Sequence, residues 1–243
     1  MNKTNTQAAQ FTSGLIGRIG NESKFEIILC PPYTALERVS DIVSSSKIKV
    51  GAQNVFYEEK GAFTGEISTE MLTNLNVRYV IIGHSERRHI FGETDEMINK
   101  KLKKIVKTSL TPILCVGEKL EDREKGLTFN VVERQIKEAF FGLTPEEVSR
   151  VVIAYEPVWA IGTGKVATPE QAQEVHEYIR NLLKDLFGES LAEGMTILYG
   201  GSIKANNFLG LFLKPDIDGG LVGGASLTEE FIELAEIMRQ VIE

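Results

Sequence analysis

The sequence predicts an α/β fold, an eightfold parallel βα barrel that is one strand short. Two observations carry this. Short, continuously apolar runs rich in β-branched residues recur along the chain, as strands covered on both faces require. Amphipathic stretches with helical spacing separate them, and a regular strand–helix series of this length points to a closed barrel or a doubly wound sheet. An early Gly-x-Gly-x-x-Gly turn is absent, which weakens the dinucleotide-binding version of the second. No Pro/Ser-rich linker or low-complexity segment interrupts the series, so residues 1–243 read as a single domain.

The predicted strands are residues 25–30, 48–52, 78–83, 111–116, 151–155, 196–199 and 219–222. Val132, Ile136 and Phe140 mark one helical face between them, and Val175, Ile179, Leu182 and Leu183 mark another. Thr144-Pro145-Glu146-Glu147 and Thr168-Pro169-Glu170-Gln171 read as capping boxes with proline at the first helical position. The first element is also a helix: Ala8, Phe11, Leu15, Ile16 and Ile19 share a face, and no strand precedes them. A closed barrel needs a strand before every helix, so the missing piece is the first β-strand.

Hydrophobic residues at 42% and charged residues at 25% are ordinary for a globular protein that buries a sizeable core. The net charge of −7 argues against nucleic acid as a partner. The basic cluster Lys101, Lys103 and Lys104 is expected on a solvated helix face. Cys30 and Cys115 read as buried strand thiols of a reducing compartment. No basic-then-apolar leader opens the chain, and no apolar run approaches the ~20 residues that span a bilayer. The expected location is cytoplasmic, with no membrane partner.

Barrel chemistry gathers where strands end. The strand at 78–83 runs into His84-Ser85-Glu86-Arg87-Arg88, where a histidine can polarise an oxygen or lie idle at the surface. His89 and His176 lie in helical patterns and read as structural or solvent-facing. The strand at 151–155 runs into Glu156, followed by a loop holding Trp159 and Ile161. Partial desolvation there would raise the carboxyl pKa and make a base suited to neutral pH; the alternative is a glutamate paired with an arginine. The last two strands run into Gly200-Gly201-Ser202 and Gly223-Gly224-Ala225-Ser226. Paired glycines let backbone N–H groups approach a phosphate closely, and simple tight turns explain two such pairs poorly.

Together these segments resemble the triosephosphate isomerase family. The matching stretches are Gly51-Ala52-Gln53-Asn54, Gly61-Ala62-Phe63-Thr64-Gly65-Glu66, residues 83–88, Cys115-Val116-Gly117-Glu118, residues 154–165, 199–202 and 221–227. The run Ala154-Tyr155-Glu156-Pro157-Val158-Trp159-Ala160-Ile161-Gly162-Thr163-Gly164 is the most specific of them. The resemblance implies a TIM (βα)8 barrel that interconverts glyceraldehyde 3-phosphate and dihydroxyacetone phosphate without metal or organic cofactor. It implies Glu156 as the base and His84 as the electrophile. A neutral histidine opposite a glutamate base is this family's own standard example of pKa tuning, taken over here with the resemblance. Glu86 matches a supporting acid, and Gly162, Ser202, Gly223 and Gly224 match phosphate-binding positions. Residues 157–166 match a lid, and the loop around Thr64 matches the arm of a homodimer.

One departure stands out. The family opens with an apolar strand ending in Asn-Trp-Lys-Met-Asn, whereas Met1-Asn2-Lys3-Thr4 aligns just after that lysine. Lys3 belongs to the start of the helix and is no substitute. Loss of one preorganised stabilising group typically costs ~3–4 kcal/mol, so the chain as written is expected to be strongly impaired. An incomplete record, a truncation and a strand supplied by another segment are the three explanations. Two rival functions stand beside the isomerase: a Schiff-base aldolase, for which Lys165 is poorly placed, and a non-catalytic or incomplete phosphate-binding barrel.

Overall fold

The computed structural model describes residues 1–161 and 166–242. The chain divides into two compact units, one of residues 1–82, 100–112 and 242, the other of residues 83–99 and 113–241.

The first unit opens on α1 (Asn5–Ile19), with no strand ahead of it among the described residues. Thr4 caps α1 in a reciprocal box with Gln7, and Ala8, Thr12, Leu15 and Ile19 form its buried face. Then follow β1 (Ile28–Leu29), α2 (Tyr33–Val43), β2 (Lys49–Ala52), α3 (Thr69–Asn74) and β3 (Tyr79–Ile82). The strands pair in parallel, Leu29 opposite Val50 and Ala52 opposite Val80. Lys101 corrects the expectation of a solvated lysine: it is 2% exposed, and its Nζ donates to Asn54 Oδ1 at 2.7 Å. A buried ammonium persists only with such partners.

Two short segments follow β3, α4 (Ser85–His89) and α5 (Asp95–Ile105), and the residues of α5 are divided between the units. So are those of β4 (Thr111–Val116). The second unit continues with α6 (Leu120–Glu124), α7 (Thr128–Phe140), α8 (Pro145–Val148), β5 (Val152–Tyr155), α9 (Pro169–Phe187) and α10 (Glu189–Gly194). It ends with β6 (Ile197–Tyr199), α11 (Ala205–Phe212), β7 (Gly219–Gly220) and α12 (Glu230–Val241). Strands β4 to β7 pair in parallel and in chain order, Val116 beside Tyr155, Tyr155 beside Tyr199, and Tyr199 beside Gly220. Five consecutive residues of β4 are buried, as in a strand covered on both faces. Both predicted capping boxes form, at Thr144 with Glu147 and at Thr168 with Gln171.

Within α9, His176 is fully buried, with Nδ1 2.9 Å from the Asp216 carbonyl. Burial lowers its pKa to about 4, so the ring is neutral near pH 7. No described helix is long and apolar enough to cross a membrane.

Candidate active site

The chemistry-bearing residues of the second unit gather where β3 gives way to α4 and where β4, β5, β6 and β7 end. Glu156 directly follows β5, and its N–H donates to the Val116 carbonyl at 2.7 Å. Gly117 is what permits this approach: a Cβ there would lie 1.8 Å from the Glu156 carbonyl oxygen. Gln135 of α7 clamps the Gly117 peptide, accepting from its N–H at 2.7 Å and donating to its carbonyl at 3.2 Å. Gly200 clears the other side, since a Cβ there would lie 2.9 Å from Glu156 Cγ. The side chain of Glu156 thus runs through a slot cut by two glycines.

Its carboxylate is 2% exposed. Ser85 donates its N–H to Oε2 at 2.9 Å and its hydroxyl to Oε1 at 3.2 Å. His84 Nε2 lies 3.1 Å from Oε1. The Glu86 N–H donates to His84 Nδ1 at 3.3 Å, which makes Nδ1 the acceptor and puts the ring proton of the neutral form on Nε2, facing the carboxylate. Burial pushes the Glu156 carboxyl above the usual carboxylate range, while His84, Ser85 and Cys115 draw it partly back.

A second buried carboxylate lies beyond β4. Glu118 is 0% exposed and accepts from Trp159 Nε1 at 2.8 Å, from the Tyr155 hydroxyl at 3.1 Å, and from Arg123 Nη1 at 3.3 Å. The Arg123 guanidinium also covers the Trp159 ring, 4.4 Å from its centroid. Val158 donates its N–H to the Glu118 carbonyl at 3.1 Å. The 3-10 turn Val158–Ala160, which leads away from Glu156, is anchored on this residue.

Of the residues singled out from sequence, His84 and Glu156 come into direct contact. Glu86 sits exposed in the first turn of α4, joined to His84 through its backbone. Ser202 lies in the turn between β6 and α11, where its carbonyl accepts from Asn207. At Gly223 and Gly224 an added Cβ would meet nothing within 4 Å, so open space flanks both backbones. Gly162 and Lys165 lie outside the described residues. Among the described residues no group of three or more His, Cys, Asp or Glu side chains is placed to hold a metal ion. Sequence reasoning assigns no role to Ser85, Gln135 or Glu118. A signal exists for two of them: Ser85 adjoins His84, and Glu118 follows a predicted strand by two residues.

A family model described as triosephosphate isomerase matches residues 1–238. The triosephosphate isomerase of Endomicrobium trichonymphae is 53% identical over 237 residues, covering 97% of this chain and 94% of that protein. That of Chloroherpeton thalassium is 52% identical over 236 residues, covering 96% and 94%. That of Carboxydothermus hydrogenoformans is 53% identical over 230 residues, covering 95% and 92%.

Proposed function

Since the chain belongs to the triosephosphate isomerase family, we propose that it interconverts glyceraldehyde 3-phosphate and dihydroxyacetone phosphate through the Glu156–His84 pair. The observation that supports this most is the pair itself: a desolvated carboxylate 3.1 Å from a histidine nitrogen whose tautomer the chain sets.

In this proposal Glu156 gives up its Ser85 donors and turns to the substrate. Its carboxylate removes a proton from the hydroxyl-bearing carbon next to the carbonyl. The electron pair moves into a new carbon–carbon double bond, and the carbonyl oxygen becomes an enediolate oxygen. His84 Nε2–H donates to that oxygen as its charge grows. The hydroxyl proton of the first carbon passes to the enediolate oxygen by way of His84 Nε2, and Glu156 returns its proton to the neighbouring carbon as the first carbon becomes the new carbonyl. A carboxyl raised above its ordinary range is a stronger base for this transfer.

Ser202, Gly223, Gly224 and Gly162 would hold the phosphate, the first three on backbone turns after β6 and β7, with Glu86 a supporting acid. The loop at 157–166 would act as a lid, and closure of this kind is best known from this same family. The exposed loop tip around Phe63 and Thr64 would reach a second copy in a homodimer. The proposed setting is the cytoplasm and the proposed domain a single barrel.

A coupled isomerase assay tests the reading, on this chain and on one carrying a family first strand with its Asn-x-Lys ahead of Met1. Glu156→Gln should lower kcat/KM about 10²–10⁴-fold. In deuterium oxide the product of the active form should carry solvent deuterium on the carbon that receives the proton. Equal rates for the wild type and the Glu156→Gln variant would remove Glu156 from this role.

A further inference from the structure

Arg88, in the last turn of α4, is 7% exposed at its side chain and spreads its guanidinium over three acceptors. Nε donates to the Gly83 carbonyl at 2.7 Å, Nη2 to the Cys115 carbonyl at 3.1 Å, and Nη1 to Asp95 Oδ1 at 2.5 Å. Gly83 is the residue before His84. Cys115 pairs with Ala154 in the β4–β5 ladder, two residues before Glu156. The same guanidinium therefore bonds the backbone just before His84 and the β4 backbone beside the segment that leads into Glu156. Gly83 holds a left-handed φ of +68°, and a Cβ there would lie 3.0 Å from Arg88 Nη2 and 3.1 Å from the Cys115 oxygen. The contact is tight on all sides. Asp95 balances the buried charge, and Arg134 donates to its second oxygen from a half-exposed position.

We infer that Arg88 is a positioning residue that sets the 3.1 Å approach of His84 to Glu156 by clamping the Gly83 and Cys115 carbonyls together. This rests on the isomerase reading above. A planar fork with donors in three directions meets these acceptors, whereas a lysine ammonium on a flexible stem reaches only part of the set. Displacement of a catalytic group by about 1 Å can cost about 10²-fold in rate. The clamp touches neither substrate nor reacting atoms, so its loss should fall on kcat and leave KM within about threefold.

The test uses Arg88→Lys and Asp95→Asn, the second keeping the arginine while loosening its anchor, with Arg134→Gln as the control that leaves the carbonyl clamp intact. The primary readout needs no substrate: the carbon-13 titration of the Glu156 carboxyl. A displaced midpoint in folded Arg88→Lys, or in Asp95→Asn should the first not fold, supports the clamp. Rates should fall with it, about 10²-fold in kcat for Arg88→Lys and less for Asp95→Asn, with Arg134→Gln near wild type. Midpoints coinciding with wild type in the folded variants overturn it, whatever the rates. Should the wild type itself fail to isomerise triose phosphates, the isomerase reading falls while the titration still judges the clamp.

Discussion

Glu118 and Glu156 occupy neighbouring strand ends, are equally buried at 0% and 2% exposed, and have opposite surroundings. Glu118 is saturated: an indole, a phenol and a guanidinium converge on it, with Thr128 at the margin of hydrogen-bond reach. Glu156 is held by Ser85 and touched by Cys115, and it faces one imidazole, with glycines on both sides of its side chain. Removing Glu118 from its place would strand several buried donors at once. Turning Glu156 away releases the two Ser85 donors, with the His84 imidazole and Cys115 beside them, and no charged donor is stranded. Depth alone does not make a carboxylate catalytic; replaceable partners at that depth do.

The largest expected effect lies on the saturated side. Glu118→Gln removes the charge and puts an amide donor against existing donors, so stability should fall by about 3 kcal/mol. Trp159 is the chain's one tryptophan, so its fluorescence should shift together with the urea midpoint. An unchanged midpoint and spectrum would erase the contrast between the two carboxylates.

Glu156→Gln should act in the opposite direction on stability. A carboxyl raised in the folded state contributes stability below its ordinary value of 4.5, and that contribution is lost as pH rises through the folded value. The amide escapes this loss. The variant should match the wild type in acid and exceed it at neutral pH, by about 0.5–2 kcal/mol. Thermal unfolding across pH measures this, and a variant less stable at pH 8 than at pH 4 relative to wild type would break the comparison.

The smallest effect belongs to Ser85→Ala, which keeps the backbone donor and removes the hydroxyl. That hydroxyl lowers the Glu156 pKa, so the acid limb of the kcat/KM profile should move to higher pH. Stability should change by no more than about 1 kcal/mol. A limb that stays in place would show that the backbone bond alone sets the carboxylate's character.

Much of the fold is legible locally. All seven predicted strands occur, though residues 25–27 and 30 fall outside β1, and 221–222 outside β7. Strand ends are set by where a neighbour's ladder runs out, here at Ile28 against Lys49 and at Gly220 against Tyr199, which apolar content does not encode. The capping boxes at Thr144 and Thr168 are readable because their partners stand three residues away. Lys101 defies its local pattern because its partner, Asn54, stands 47 positions away, and a lysine in a helical pattern looks the same exposed or buried.

The sequence by itself determined the alternation of strands and helices, the glycine turns, and the motif that places the chain in its family. It also placed a carboxylate and a histidine at strand ends. Tertiary structure decided which carboxylate is poised and which is locked. Ser85 and Glu156 meet across 71 positions, and Glu118 and Trp159 across 41. The donors a buried charge receives depend on which distant residues packing brings to it, and no local pattern records that.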